Sequence, residues 1–159
     1  LANILTINAG EEAIWARTKA AWALASIGKK SIPALIGTLR DNEEATRRRA
    51  TWALVKIGDA AVPALINSLR DPNRFARERA AKTLGWIGDE RAVTSLMWAL
   101  KDTDPAVVCS AAWSLGRIGN HQALPALHSL INNKNNDVRE NVTGAIERIK
   151  VMKEKTNPR

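Results

Sequence analysis

The chain has 159 residues, 45% hydrophobic and 25% charged, with a formal net charge of +8. That balance excludes a disordered chain, and no apolar run reaches the length that spans a bilayer. The one cysteine, Cys109, excludes an internal disulfide and agrees with a cytoplasmic, reducing compartment, while the positive charge favours acidic partners.

Residues 1–9 occupy the place of a short helix, with Ile4, Leu5 and Ala9 one period before Ala34, Leu35 and Leu39. The segment starts abruptly, so the chain reads as a piece of a longer protein. After it the punctuation is periodic. Ile27-Gly28, Ile57-Gly58, Ile87-Gly88 and Ile118-Gly119 recur at intervals of 30, 30 and 31 residues. Each pair closes one frame: a leading acid, arginine six residues later in the first three copies, alanine nine later, leucine thirteen later. The copies are Glu11, Arg17, Ala20, Leu24; Asp41, Arg47, Ala50, Leu54; Asp71, Arg77, Ala80, Leu84; and Asp102, Ala111, Leu115. A fixed period of this length signals a stacked array in which each unit buries its apolar face against its neighbours.

Each unit is expected to hold two helices. The short first helices fall over 31–40, 60–70, 91–101 and 122–132, with apolar residues at three- and four-residue spacing, as in Val62, Leu65, Ile66 and Leu69. Pro33, Pro63 and Pro125 suit a first turn, where a missing N–H costs nothing. The second helices fall over 11–27, 43–57, 73–87, 104–118 and 135–152. Gly28, Gly58, Gly88 and Gly119 suit left-handed caps, and Asp41, Asp71 and Asp102 suit the capping of a helix start. No segment alternates with a period of two, so no sheet is expected. The units run 1–28 (partial), 29–58, 59–88, 89–119 and 120–152, the last more polar, as a terminal cap requires. A frayed tail is expected over 153–159. The fold class is all-α, a solenoid of about four and a half hairpins of 30–31 residues.

With "PALI..L.D" followed by "R..A...L..IG", the chain resembles HEAT repeats, above all the short bacterial and archaeal type of the phycobilisome lyases. The resemblance implies a right-handed superhelix with the second helices on its concave side. It also implies a ladder of turn aspartates beside second-helix arginines: Asp41 with Arg47 and Asp71 with Arg77. Val108 breaks the pattern, leaving Asp102 without its usual partner, and Asn133 stands before Arg139. HEAT-repeat hydroxylases hold iron with repeated His-Glu pairs, and this chain has none. No cofactor and no metal are therefore expected.

A helical rotation of about 100° per residue puts Ala76, Ala80, Thr83, Leu84 and Ile87 on one core stripe. It turns the frame positions of Phe75, Glu78, Lys82, Gly85 and Trp86 away, toward a groove. Trp15, Trp22, Trp52, Trp113 and Phe75 fall at such positions, with Trp86 nearer the flank. Arg48, Lys56, Lys82 and Arg117 are interleaved with them, and Arg49 and Arg79 lie on the flank. Tryptophan is a preferred binding anchor, and it equally fills seams between repeats. Both readings stay open here. Trp98 belongs to a first helix and reads as convex or packing.

No catalytic set emerges. His128 occupies the place of Ile36, Ile66 and Met97 and reads as a half-buried packing residue; His121 lies in a turn. Cys109 faces the groove without a paired base and reads as inert. The leading functional expectation is a non-catalytic scaffold that binds an acidic or amphipathic protein partner in a Trp/Arg-lined concave groove. Nucleic-acid binding by the same groove is the second. A bilin-lyase-like or bilin-handling role is the third, and it rests only on the resemblance.

Overall fold

A computed structural model describes residues 19–156, with side chains through residue 153. The expectations for residues 1–18, including Glu11, Trp15 and Arg17, lie outside the described residues. Among those described there is no strand. The second helices are α1 (19–27), α3 (Glu44–Ile57), α5 (Arg74–Ile87), α7 (Pro105–Ile118) and α9 (Asn136–Thr156). The first helices are α2 (Ile32–Thr38), α4 (Val62–Ser68), α6 (Val93–Ala99) and α8 (Leu124–His128).

The first helices are shorter than their hydrophobic pattern suggests. Each is entered through a turn of 3-10 helix, such as Gly58–Ala61 before α4. Each leaves through tightened bonds, as where the Leu69 N–H donates to Ile66 O at 3.2 Å. Pro33, Pro63 and Pro125 sit in the first turns as expected, and Pro105 opens α7 in the same way. Gly88 and Gly119 are left-handed, both at φ 79°, and close α5 and α7. Gly58 also has positive φ, but its ψ of −141° is not that of a left-handed cap. There the chain enters the next 3-10 turn directly.

The turn aspartates do not cap helices. The carboxylates of Asp41, Asp71 and Asp102 each accept the N–H two residues on, from Glu43, Asn73 and Asp104. This Asx turn delivers the true cap, as where Asn73 accepts from the N–H groups of Phe75 and Ala76. At the far end, α9 runs to Thr156, so residues 153–156 are helical where fraying was expected.

The core is a continuous column. Leu35, Leu39, Leu54, Leu65, Leu84, Leu96, Leu115, Leu127 and Ile149 are fully buried. The expected stripe of Ala76, Ala80, Thr83 and Leu84 is buried, with Ile87 half-buried. Consecutive second helices pack on each other, α3 on α5, α5 on α7 and α7 on α9. Small residues permit the close approach. A side chain on Gly85 would sit 2.8 Å from the Ser114 main chain, and one on Gly116 would sit 2.7 Å from that of Ala145. Gly85 therefore faces the next repeat, not the groove its rotation assigned it to.

Ionic ties between repeats differ in register from the expected ladder. Within a unit, the arginine holds main-chain carbonyls, not the carboxylate. Arg47 Nη1 donates to Asp41 O and Asn42 O; Arg77 Nη1 donates to Asp71 O and Pro72 O. The carboxylates pair across units. Asp71 accepts from Arg40 at 2.7 Å, and Asp102 accepts from Arg77 at 2.7 and 3.0 Å. Asp102 thus has a partner despite Val108, because its arginine comes from the preceding repeat.

Candidate functional site

The aromatic residues of the second helices form two pairs across repeat boundaries. Trp22 of α1 meets Trp52 of α3 with ring centroids 4.5 Å apart and planes tilted by 47°. Trp86 of α5 meets Trp113 of α7 at 5.1 Å, edge to face. Trp22 is 56% exposed and Trp86 47%, while Trp52 and Trp113 are half-buried. Each pair therefore fills a seam and leaves one indole open to solvent. Packing and exposure, alternatives at the level of sequence, occur in the same pair. Trp98, 62% exposed on α6, lies off this face with Lys101 against its ring.

The cations divide into three groups. Arg117 and Lys56 are exposed and stack on indoles: Arg117 lies 4.5 Å from the Trp86 ring centre and 5.2 Å from that of Trp113, and Lys56 lies 5.6 Å from Trp52. Arg117 Nε also donates to Gly85 O. Arg48 is exposed, and Lys82 and Arg49 are half-buried. Arg47 and Arg79 are buried at 4% and 7% exposure. Arg47 stacks on Phe75 of the next repeat at 4.2 Å, with Arg74 on the same ring at 4.5 Å, so Phe75 is a repeat clamp. Arg79, expected on the flank as a steering charge, instead reaches back to Glu44 of α3 at 2.8 Å.

Between the two tryptophan pairs lies a hollow of about 520 Å³. Glu44, Arg48, Thr51, Trp52 and Val55 of α3 line one side, and Arg79, Lys82 and Trp86 of α5 the other. Lys82 occupies the frame position that Trp22, Trp52 and Trp113 hold elsewhere, so the tryptophan row is interrupted where the hollow opens. Three cations face one carboxylate in its lining. Glu44 and Thr51 escaped the sequence reading. A signal was present for Thr51: Ala21, Ala81 and Ala112 hold its frame position in the other copies.

A second hollow, of about 380 Å³, contains Glu78, Lys82, Cys109, Trp113, Asp137 and Asn141. Burial pushes the Cys109 thiol above its ordinary range and the nearby Asp137 charge adds to this, which favours the protonated thiol over the thiolate. His128 is exposed, not half-buried, because α8 stops at that residue and turns it to solvent. Among the described residues no group of His, Cys, Asp or Glu is arranged to hold a metal. No helix among them is long and apolar enough to cross a membrane.

The sequence profile of HEAT repeats matches residues 3–78 and 62–147. The chain belongs to the HEAT-repeat family. Its helical pairs superpose on one chain of the complex of CpcE and CpcF of phycocyanin lyase from Nostoc sp. PCC7120, with a TM-score of 0.72 and 28% identity. That match covers 77% of this chain and 80% of the other. Human deoxyhypusine hydroxylase matches with a TM-score of 0.63 and 28% identity over 76% of this chain, which spans 43% of the hydroxylase chain. A designed armadillo repeat protein in complex with the peptide (KR)4 matches at 0.58 and 23% identity, covering 83% of this chain and 74% of that one, a likeness of fold alone. A comparison with curated proteins found no match. The HEAT solenoid is a scaffold fold suited to protein binding.

Proposed function

We propose that this HEAT array is a non-catalytic, cytoplasmic interaction module that takes an acidic, amphipathic protein segment along the face of its second helices. One observation carries the reading: the hollow between α3 and α5 is walled by Trp52 and Trp86 and lined by Arg48, Arg79 and Lys82 against Glu44 alone. Its volume of about 520 Å³ suits one or two side chains of an inserted segment. Indoles supply contact area at low entropic cost, and the excess positive charge speeds encounter with an acidic segment.

A short fluorescein-labelled peptide alternating glutamate and leucine tests this by anisotropy. The protein binds it, and Trp86→Ala weakens binding by about tenfold or more, the scale of an interface anchor. An unchanged affinity in Trp86→Ala counts against the groove. Labelled duplex DNA is the counter-probe. DNA binding that outcompetes the peptide and falls steeply with salt transfers the assignment to nucleic acid.

A second reading is favoured by the likeness to a chain of the phycocyanin lyase complex. Under it the same face handles a bilin or the protein that carries one. Mixing the protein with free bilin and recording the absorbance spectrum tests it, and an unshifted spectrum removes its support.

A further inference from the structure

We propose that the hollow between α3 and α5 contains a carboxylate receptor built on Arg79 and Thr51, and that Glu44 occupies it as an internal stand-in until a partner's acidic side chain replaces it. The inference rests on the groove reading above and deepens it by naming the group recognised.

The pair is asymmetric. Arg79 is 7% exposed, whereas the Glu44 side chain is 60% exposed. A buried guanidinium requires an anion, because leaving it unpaired is costly. An exposed glutamate released to water loses little. The link between them is the Arg79 Nη2 hydrogen bond to Glu44 Oε1 at 2.8 Å, with Arg47 Nη2 a looser 3.5 Å from the same carboxylate. Glu78 adds a looser ion pair 4.0 Å from Arg79, longer than a hydrogen bond, so the hydrogen bond itself comes from Glu44. An external carboxylate presented by a tethered segment can therefore exchange with Glu44 at small net cost.

The hydrogen-bond inventory points the same way. Among the described residues four buried side-chain atoms have no partner, and two of them, Arg79 Nε and Thr51 Oγ1, belong to residues that line the hollow; Arg47 Nε and Arg49 Nη1 lie outside its lining. The other buried hydroxyls are satisfied: Ser31 by Leu24 O, Ser68 by Ala64 O, Thr83 by Arg79 O and Ser114 by Ala81 O. Thr51 is thus a polar group placed at an alanine position, beside the hollow, with nothing of this chain to bond. A carboxylate has about four acceptor sites, and Glu44 uses few of them here. Arg79 and Thr51 line the same hollow, so a ligand carboxylate that enters as Glu44 leaves meets both residues in its walls. The flanking Trp52 and Trp86 specify an apolar neighbour in the ligand, so the receptor fits an acidic residue within a peptide.

The test uses the glutamate–leucine peptide and three variants. Glu44→Gln removes the stand-in and tightens binding by about threefold to tenfold, the scale of a charge-assisted hydrogen bond. Glu147→Gln, the same charge change at an exposed site on α9, leaves affinity as it was. Thr51→Val weakens binding by about threefold. Free glutarate does not displace the peptide. Glu44→Gln that binds no tighter than Glu147→Gln overturns the stand-in, and so does displacement by glutarate, which moves the receptor to small dicarboxylates. An untightened Glu44→Gln with wild-type binding intact leaves the groove reading standing. A wild-type chain that ignores the peptide removes both.

Discussion

At the scale of single residues, the most informative groups break a rule of the repeat. Thr51 buries a hydroxyl without a partner where the other copies bury a methyl. Such a group costs folding free energy that an apolar isostere recovers. Thr51→Val is therefore expected to raise stability in urea denaturation by about 1 kcal/mol while weakening peptide binding. A loss of stability would show that the hydroxyl serves the fold. Asp71 makes the opposite case. Its carboxylate joins the Asn73 N–H of its own turn to Arg40 of the preceding unit. Asp71→Ala removes both links and is expected to cost about 2 kcal/mol, measured the same way.

At the scale of helices, the spacing between second helices decides which side chains reach solvent. Gly85 and Gly116 let α5, α7 and α9 approach closely, and the Ser114 hydroxyl bridges to Ala81 O in that contact. Alanine is the better helix former by about 1 kcal/mol, so propensity alone favours Gly85→Ala. Packing reverses the sign. The added carbon would lie 2.6 Å from Ser114 Cβ and 2.8 Å from its Cα, and main chain cannot yield as a flexible side chain can. Gly85→Ala is expected to lose about 2 kcal/mol and to part Trp86 from Trp113. Thermal melting and near-ultraviolet circular dichroism check both effects, and a rise in melting temperature would contradict them.

At the scale of the whole array, paired carboxylates make stability depend on acid. Burial alone would raise the Asp71 carboxyl, but the Arg40 hydrogen bond, the Asn73 N–H and the charges of Arg40 and Arg77 together hold it below the ordinary range. Asp104 is held low in the same way, against its burial, by the Arg74 bond, the Ala106 N–H and the charges of Arg74 and Arg77. The Arg91 hydrogen bond leads in lowering Asp89. For a depressed carboxyl the unfolded chain takes up protons first as pH falls, so stability is lost in that direction. These groups contribute fully above the ordinary carboxylate range. Their contribution fades as pH drops through that range and is gone below the depressed values. Melting temperature is expected to fall on acidification through pH ~4, and Asp71→Asn to flatten that fall. Arg40 and Asp71, and likewise Arg74 and Asp104, come from different units, so loss of either pair loosens two neighbours, whereas Asp89 and Arg91 lie within one unit.

The sequence by itself determined the period, the helical pairs, the alanine–leucine core stripe and the glycine ends. These depend on local chemistry that repeats: rotation per residue, first-turn proline, and glycine's tolerance of positive φ. It also placed Trp22, Trp52, Trp86 and Trp113 on the face of the second helices. Only the tertiary structure decided that these rings meet in pairs, that Asp102 finds Arg77 across a repeat boundary, and that Arg79 is buried against Glu44. The reason is physical. The frame fixes which way a side chain leaves its helix, but the partner it meets comes from a neighbouring unit. The distance between units is set by how closely small residues such as Gly85 and Gly116 let the helices pack.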